Sequence, residues 1–282
     1  MRIFVAGATG AIGRRLVPLL RAAGHQVTGT TRTERGVALL RDLGATGVPV
    51  DVFDRDALIA AVAAAAPDVV VHQLTALSGG SPVDNALVRR EGTRNLVDAA
   101  GAAGVRRIVA QSIAWAYEPG DAPADEGTPL DLSAGEPRSV SVGGVHALET
   151  AVAELAEHVV LRFGAFYGPG TWYGPDDLFG RKFRAGEFTA NEGVTSFVHV
   201  DDAAAATVAA LDWPSGPVNV VDDEPATAHE WAPVFAAAVG APAPRRVTGR
   251  APWERGARNA LARGRGWEPR FPSWRKGFAE LG

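Results

Sequence analysis

Six short runs of apolar and β-branched residues recur along the first part of the chain: RIFVAG (2–7), QVTGTT (26–31), TGVPV (46–50), DVVVHQ (68–73), RRIVAQ (106–111) and HVVLRF (158–163). Between them lie longer Ala-, Leu- and Arg-rich stretches of helical period, near 11–23, 34–43, 55–66, 84–103 and 143–157. The strand runs are largely apolar on both of their faces, and strands alternate strictly with helices. That combination predicts an α/β fold, a doubly wound parallel sheet covered on both sides. The stretch ALIAAVAAAAP reads as a helix stopped by Pro67. After residue 164 the rhythm changes to Gly-, Pro- and aromatic-rich segments with short strands (TSFVHV, PVNVV) and helices near 202–212 and 227–239. The expected division is a core at 1–164, including the helix at 143–157. A smaller mixed substrate-binding lobe follows at 165–282, with strands returning to the core.

Composition narrows the function classes. The 282 residues are 46% hydrophobic with a formal charge of −4, so neither disorder nor general affinity for nucleic acid or anionic membranes is expected. One local exception is residues 241–282, where nine Arg and Lys276 face only Glu254, Glu268 and Glu280. Those Arg are spaced among Pro, Gly and Trp, which predicts a solvated or docked tail rather than a nucleic-acid surface. There is no Cys, which excludes disulfides, thiol catalysis and thiolate metal sites. No His/Asp/Glu cluster has metal-ligand spacing, so no metal is expected. A strand opens the chain at once and no apolar run is long enough to cross a bilayer, so a cytoplasmic protein is expected.

The most specific local signal is VAGATGAIGRRL. It sets Gly7, Gly10 and Gly13 between a strand and an amphipathic helix, with Thr9, Ala11, Ile12 and Arg14 completing the loop. Glycine suits a tight turn and close approach of backbone to a pyrophosphate, and the helix N-terminus supplies amide donors. This is a Rossmann-type dinucleotide signature. At the end of the second strand, where a carboxylate would accept the ribose hydroxyls of NAD, the chain has Thr31 and Arg32. A guanidinium there favours a 2′-phosphate, so NADP(H) is expected over NAD(H). Asp51 and Val52 follow the third strand, in position to meet the adenine.

Taken with VVVHQLTAL, EGTRNLVDAA, RRIVAQS, LRFGAFYGPG, SFVHVDDAAAA and PVNVVDDEPAT, the chain resembles the short-chain dehydrogenase/reductase superfamily. The resemblance is to its extended or atypical branch, the NAD-dependent epimerase/dehydratase family. It implies that Leu74, Thr75 and Ala76 line the cofactor, that Ser112 sits beside the nicotinamide ribose, and that Gly164, Ala165 and Phe166, after the sixth strand, also bind the cofactor. His199 and Asp201 would tie the small lobe to the core. A homodimer through the helices near 84–103 and 143–157 is also implied.

In that family a Tyr acts as general acid/base, and a Lys four residues on lowers its pKa and holds the ribose. Aligned through Glu149, the stretch SVSVGGVHALE (139–149) puts Ser141 at the Tyr position and Val145 at the Lys position. The family's usual Ser falls at Ile113, next to Ser112, and a frequent Asn falls at Arg89. Proton handling must then rest on other groups, for which Ser112 and Tyr117 are the candidates. Trp115, Tyr117, Tyr167, Trp172 and Tyr173 gather after strands five and six and are expected to form an apolar substrate pocket, with Trp172 and Tyr173 on a glycine-flanked lid. The leading expectation is an NADP(H)-dependent oxidoreductase acting on a small, largely apolar molecule. A non-redox cyclase, dehydratase or isomerase on the same scaffold is the alternative, and a non-catalytic NADP(H) sensor the second.

Overall fold

In a computed structural model describing residues 1–77 and 81–281, each of the six expected strand runs forms a strand. They are β1 (Arg2–Ala6), β2 (Gln26–Thr31), β3 (Thr46–Pro49), β4 (Val69–His72), β5 (Arg107–Ile113) and β6 (Glu157–Phe163). Short strands follow: β7 (Ala165–Tyr167), β8 (Thr189–Ala190), β9 (Val194–Thr195), β10 (Phe197–His199), then β11 (Gly216–Val220). Seven of these strands make one sheet in the order β11-β6-β5-β4-β1-β2-β3. The β1–β2, β2–β3, β1–β4 and β4–β5 pairs are parallel. The order reverses between β1 and β4, the point where open α/β sheets hold their ligands beyond the strand carboxyl ends.

The helices are α1 (Gly13–Ala22), α2 (Glu34–Asp42), α3 (Arg55–Ala65), α4 (Pro82–Leu87), α5 (Thr93–Ala102) and α6 (Arg138–Val152). Local chemistry accounts for several boundaries. Thr33 and Asp54 cap α2 and α3 through their side chains. At the end of α3, Ala66 turns left-handed (φ 42°) directly before Pro67, so the chain leaves the helix where the sequence predicts a stop. The single helix expected at 84–103 is interrupted by a π-helical turn, Val88–Gly92. The helix expected at 143–157 begins at Arg138 and ends at Val152, because Glu157 joins β6 and its N–H donates to Arg106 O.

The chain divides into two compact units, and the division is not a single cut at 164. The first holds Met1–Ser112, Leu130–Leu161 and Ala204–Pro217; the second holds Ile113–Pro129, Arg162–Ala203 and Val218–Gly282. The chain passes from one to the other within β5, β6 and β11, which is why sequence rhythm alone misplaces the boundary. The first unit's core joins Phe4, Val70 and Ile108 of the sheet to Leu96, Leu148 and Val152 of α5 and α6. The second unit's core is aromatic: Tyr167, Tyr173, Phe183, Phe197, Trp231, Phe235, Trp274 and Phe278. Burying each such ring contributes about 1.5–3 kcal/mol. Among the described residues no helix is long and apolar enough to cross a membrane.

The basic C-terminal segment is docked within the second unit. Arg250 donates to Gly120 O (3.0 Å), Arg255 to Ala122 O (2.6 Å) and Arg258 to Pro123 O (3.2 Å), so these three charges hold main-chain carbonyls of one loop. The acidic anchor of this segment is Asp202 rather than Asp201. The carboxylate of Asp202, 3% exposed, accepts the N–H groups of Arg270 (2.7 Å) and Phe271 (2.9 Å). Asp201 is half-exposed, and its own N–H donates to His199 Nδ1 at 3.2 Å. His199 is buried against Tyr167 and Phe271, a structural place within the second unit. We expect Asp202→Ala to cost about 1–3 kcal/mol, because the buried N–H of Phe271 and the partly buried N–H of Arg270 lose their acceptor. Asp201→Ala should stay within about 0.5 kcal/mol of the parent. Urea unfolding of the two variants checks this, and equal losses would remove the distinction.

Candidate active site

The glycine loop divides its labour in the way a pyrophosphate cradle requires. Gly7 has φ +85°, and a methyl group on it would stand 2.6 Å from Gln73 O at the end of β4. A methyl on Gly13 would stand 2.5 Å from Gly7 O, so this glycine permits α1 to pack on β1. Gly10 is exposed, and a methyl there would meet only Gly7 O, at 3.3 Å. Its bare face is therefore turned outward, where a ligand's backbone approach needs it. No side chain caps α1 and its first turn carries no acid, so the amides of this helix end remain available to an anion. Arg14 curls back over the loop, its Nη2 donating to Thr9 O at 2.9 Å. Thr9 and Ala11 are partly accessible and Ile12 is buried. These features fit a dinucleotide without any rearrangement of the first unit.

The ribose end is partly as expected. Arg32 is exposed, as is Arg35, and no carboxylate stands at the end of β2. Thr31, however, is 7% exposed and faces α2, where its Oγ1 fills the space over Gly36. Asp51 is exposed and its Oδ1 accepts the N–H of Phe53, and Val52 O accepts from Asn95 Nδ2. After β4, Leu74 N–H donates to His72 Nδ1 and Ala76 N–H to Asn85 Oδ1, which sets the path of Leu74, Thr75 and Ala76.

At the carboxyl end of β5 a group appears that sequence reasoning missed. Ser112 is 1% exposed and its hydroxyl donates to Glu149 Oε1 at 2.7 Å. Ser141, Val145 and Glu149 follow one another at four-residue intervals on α6 and so share a face. Val145 is fully buried. The face that carries Tyr and Lys in the family here carries a small hydroxyl, an isopropyl group and a carboxylate already holding the Ser112 proton. Behind it, His72 Nε2 and Thr93 Oγ1 lie 2.9 Å apart, and burial, together with the nearby charge of Arg89, lowers the His72 pKa to about 4, so that His72 is neutral. No signal in the sequence pairs Ser112 with Glu149, because the two meet only through tertiary packing.

In the second unit a cavity of about 170 Å³ is lined by Ala114, Trp115, Gly164, Ala165, Val194, Thr195, Ser196, Trp253, Glu254 and Gly256. Trp115 and Trp253 face each other across it with ring centroids 6.4 Å apart. The structure thus brings Trp115, expected in the pocket, together with Gly164 and Ala165, expected at the cofactor, and adds Trp253 and Glu254 from the basic tail. Phe166 lies beside this stretch with its ring 5.3 Å from Phe163. The other predicted pocket residues sit elsewhere. Tyr117 is 2% exposed, hydrogen-bonded to Asn219 Oδ1 and covered by the Arg162 guanidinium; burial pushes its phenol up to about 12. Tyr167 is fully buried against Gly277, and Tyr173 is stacked on Phe179 at 4.2 Å; burial raises both phenols. These three tyrosines are packed in the interior, and of the expected lid only Trp172 is well exposed. A larger cleft, of about 430 Å³, lies at the opposite strand ends, lined by Arg2, Arg21 and Arg41, and is remote from the glycine loop.

Sheet order, switch point and glycine loop together define a Rossmann-type dinucleotide-binding enzyme of the short-chain dehydrogenase/reductase class. The profile of the NAD dependent epimerase/dehydratase family matches residues 3–221. The chain is 44% identical over 311 residues to a 3-diazoavenalumate denitrifying reductase of Streptomyces, covering 99% of both proteins. Among solved structures it resembles the UDP-glucose 4-epimerase of Thermus thermophilus in complex with NAD, with TM-score 0.77, 26% identity and coverage of 100% and 97%. It shares its fold with the Bordetella bronchiseptica enzyme WbmG in complex with NAD and UDP, with TM-score 0.79, 23% identity and coverage of 100% and 93%. The chain belongs to the NAD-dependent epimerase/dehydratase family.

Two glycine substitutions separate the structural from the binding part of the loop. Gly13→Ala should destabilise the fold by about 2 kcal/mol or more, through overpacking against Gly7 and Ala8. Gly10→Ala should keep its melting temperature within about 3 °C of the parent. Its affinity for a pyridine nucleotide should fall about tenfold or more. Calorimetric titration and thermal melts check both, and normal nucleotide binding by Gly10→Ala would remove the loop from the cofactor site.

Proposed function

We propose that the protein is an NADP(H)-dependent reductase of a small, largely apolar molecule bearing a diazo group, and that the reduction takes no proton from a protein acid. The observation that carries this reading is the face of α6. With Ser141 and Val145 in place of Tyr and Lys, and with the Ser112 proton held by Glu149, no side chain there is equipped to protonate an alkoxide. A carbonyl reductase or an alcohol-oxidising epimerase needs such a group. The terminal nitrogen of a diazonium-type group does not.

The chemistry balances without an acid. A bound reduced nicotinamide supplies one hydride. When a diazonium-type terminal nitrogen accepts it, the positive charge is cancelled and a neutral diazene results. Breaking the carbon–nitrogen and nitrogen–hydrogen bonds of the diazene then releases dinitrogen, and the diazene hydrogen goes to the carbon, where a carbon–hydrogen bond replaces the carbon–nitrogen bond. The reductase named among the relatives acts on a diazo compound, which supports this choice of acceptor.

The chain's own residues then position rather than titrate. The α1 amides and Gly10 hold the pyrophosphate, and Arg32, with no carboxylate beside it, favours the 2′-phosphate. Trp115 and Trp253, inclined at 45° to each other, offer an apolar aromatic seat in a cavity of about 170 Å³. That is comparable with the roughly 150 Å³ cavities that accept a benzene ring. Orientation of this kind can supply several kcal/mol of the barrier reduction.

NADPH should bind about tenfold or more tightly than NADH, a difference of about 1.4 kcal/mol, and Arg32→Ala should erase the preference. Equal affinities in the parent would return the choice of cofactor to NAD.

With a stable quinone diazide as probe, one NADPH should be oxidised per dinitrogen released, followed by absorbance at 340 nm and gas evolution. Ser141→Ala should keep kcat within roughly threefold. Conversion of the probe without loss of absorbance would favour non-redox chemistry, and a hundredfold loss in a folded Ser141→Ala would make Ser141 the acid.

A further inference from the structure

The cleft of about 430 Å³ lies wholly within the first unit, at the sheet edge opposite the glycine loop. Its walls come from the amino ends of three strands and the last turns of two helices. Arg2 belongs to β1, Gln26 and Thr28 to β2, and Thr46 to β3, while Arg21 ends α1 and Arg41 ends α2. Among the described residues no carboxylate lines it.

An arginine in the last turn of a helix ordinarily serves that helix, by answering its final carbonyls and its dipole. Here those carbonyls already have partners. Gly24 N–H donates to Arg21 O and His25 N–H to Leu20 O; in the same way Gly44 N–H donates to Arg41 O and Ala45 N–H to Leu40 O. Each closure runs through a left-handed glycine, Gly24 at φ +81° and Gly44 at φ +79°. The side chains are thereby left for other work. Arg21 uses Nη1 on His25 O (2.6 Å), and its stem lies over the second turn, since a methyl on Gly44 would stand 3.5 Å from Arg21 Nε. Arg41 is exposed and donates to no protein group among the described residues, and Asp42 beside it forms no ion pair. Arg2 is answered by Asp68, whose Oδ1 accepts from its Nη2 at 3.2 Å. Two uncompensated cations from different helices therefore share one concave, polar cleft.

We propose that this cleft is a second ligand site, for the diphosphate group of a small phosphorylated molecule. A guanidinium fork pairs with phosphate oxygens through two parallel hydrogen bonds, and a diphosphate has oxygens enough to engage Arg21 and Arg41 together. Small-molecule sites run from roughly 300 to 1,000 Å³, so a cleft of about 430 Å³ has room for an organic group beside the phosphates. An extended polyanion is a poorer match. The chain carries a formal charge of −4, and two free cations make a spot rather than a stripe. The site is separate from the dinucleotide cradle at the β1–α1 loop and depends neither on the cofactor preference nor on the diazo chemistry.

The test is a calorimetric titration at constant ionic strength, with the cradle saturated by NADPH or NADH, whichever binds more tightly. Adenosine diphosphate and inorganic pyrophosphate should each bind at about one equivalent per chain, and adenosine should not bind. Arg21→Gln and Arg41→Gln should each weaken adenosine diphosphate about tenfold, with the affinity for the nicotinamide cofactor unchanged. Absence of phosphate binding in the parent would overturn the assignment, as would an affinity undiminished in the double variant. So would release of the cofactor by adenosine diphosphate, followed through nicotinamide fluorescence, because the probe would then occupy the cradle. Sulfate competing as well as pyrophosphate at equal ionic strength would reduce the cleft to a general attraction for anions. Failure of the quinone diazide to be reduced would leave the phosphate titrations as they are, so this inference and the proposed function fail separately.

Discussion

Between the first strand and the first helix there is no room for a single methyl group. Gly7 turns the chain through a left-handed conformation, and its carbonyl then lies where a side chain on Gly13 would be. Because α1 can descend onto β1 there, its first amides are brought to the carboxyl edge of the sheet, next to the end of β4. The switch in strand order between β1 and β4 opens the sheet at the same place. A nucleotide site follows from this one packing constraint together with the dipole of an uncapped helix. The remaining strands extend the sheet from that crossing in both directions.

The β5–α6 side of the first unit shows what can change while that constraint is kept. On α6 the residues at intervals of four still face the end of β5, but the groups presented have been exchanged. A carboxylate, Glu149, occupies Ser112, and an isopropyl group fills the place of an ammonium. The exchange is not neutral for chemistry, because a phenol–ammonium pair exists to move a proton. Its replacement by a hydroxyl–carboxylate pair locks a proton in place. Such a face suits an acceptor that becomes neutral by taking hydride alone.

How far the sequence reaches differs from residue to residue. The parallel sheet was legible because VVVH and its counterparts are apolar on both faces, and the loop because Gly7, Gly10 and Gly13 each meet a distinct steric demand. The unit boundary was not, since β5, β6 and β11 each belong to both units and no composition shift marks the crossing. Asp201 and Asp202 are adjacent and chemically alike; only the direction of the side chain at the start of a helix decides which one holds Arg270 and Phe271. Tyr117, Tyr167 and Tyr173 looked like pocket residues because aromatics after a strand end suit a ligand and a core equally well. Trp253, from a segment that reads as a basic tail, reaches the cavity because Arg250, Arg255 and Arg258 bind that segment to loop carbonyls. Backbone carbonyls leave no trace in a sequence, so this clamp had no signal.

The same logic explains why a positive charge can survive in this site after the family's lysine is gone. A lysine on α6 would place its charge beside whatever proton donor stood one turn before it, and would lower that donor's pKa. Arg89 comes from a different element, a π turn between α4 and α5, and its stem passes α6 at Gly144, where the close neighbour is Ala86. Its guanidinium cannot give up a proton near neutrality, so it is unsuited to a proton relay. Moving the charge from one helix to the other therefore removes the activation of an acid that a lysine supplies.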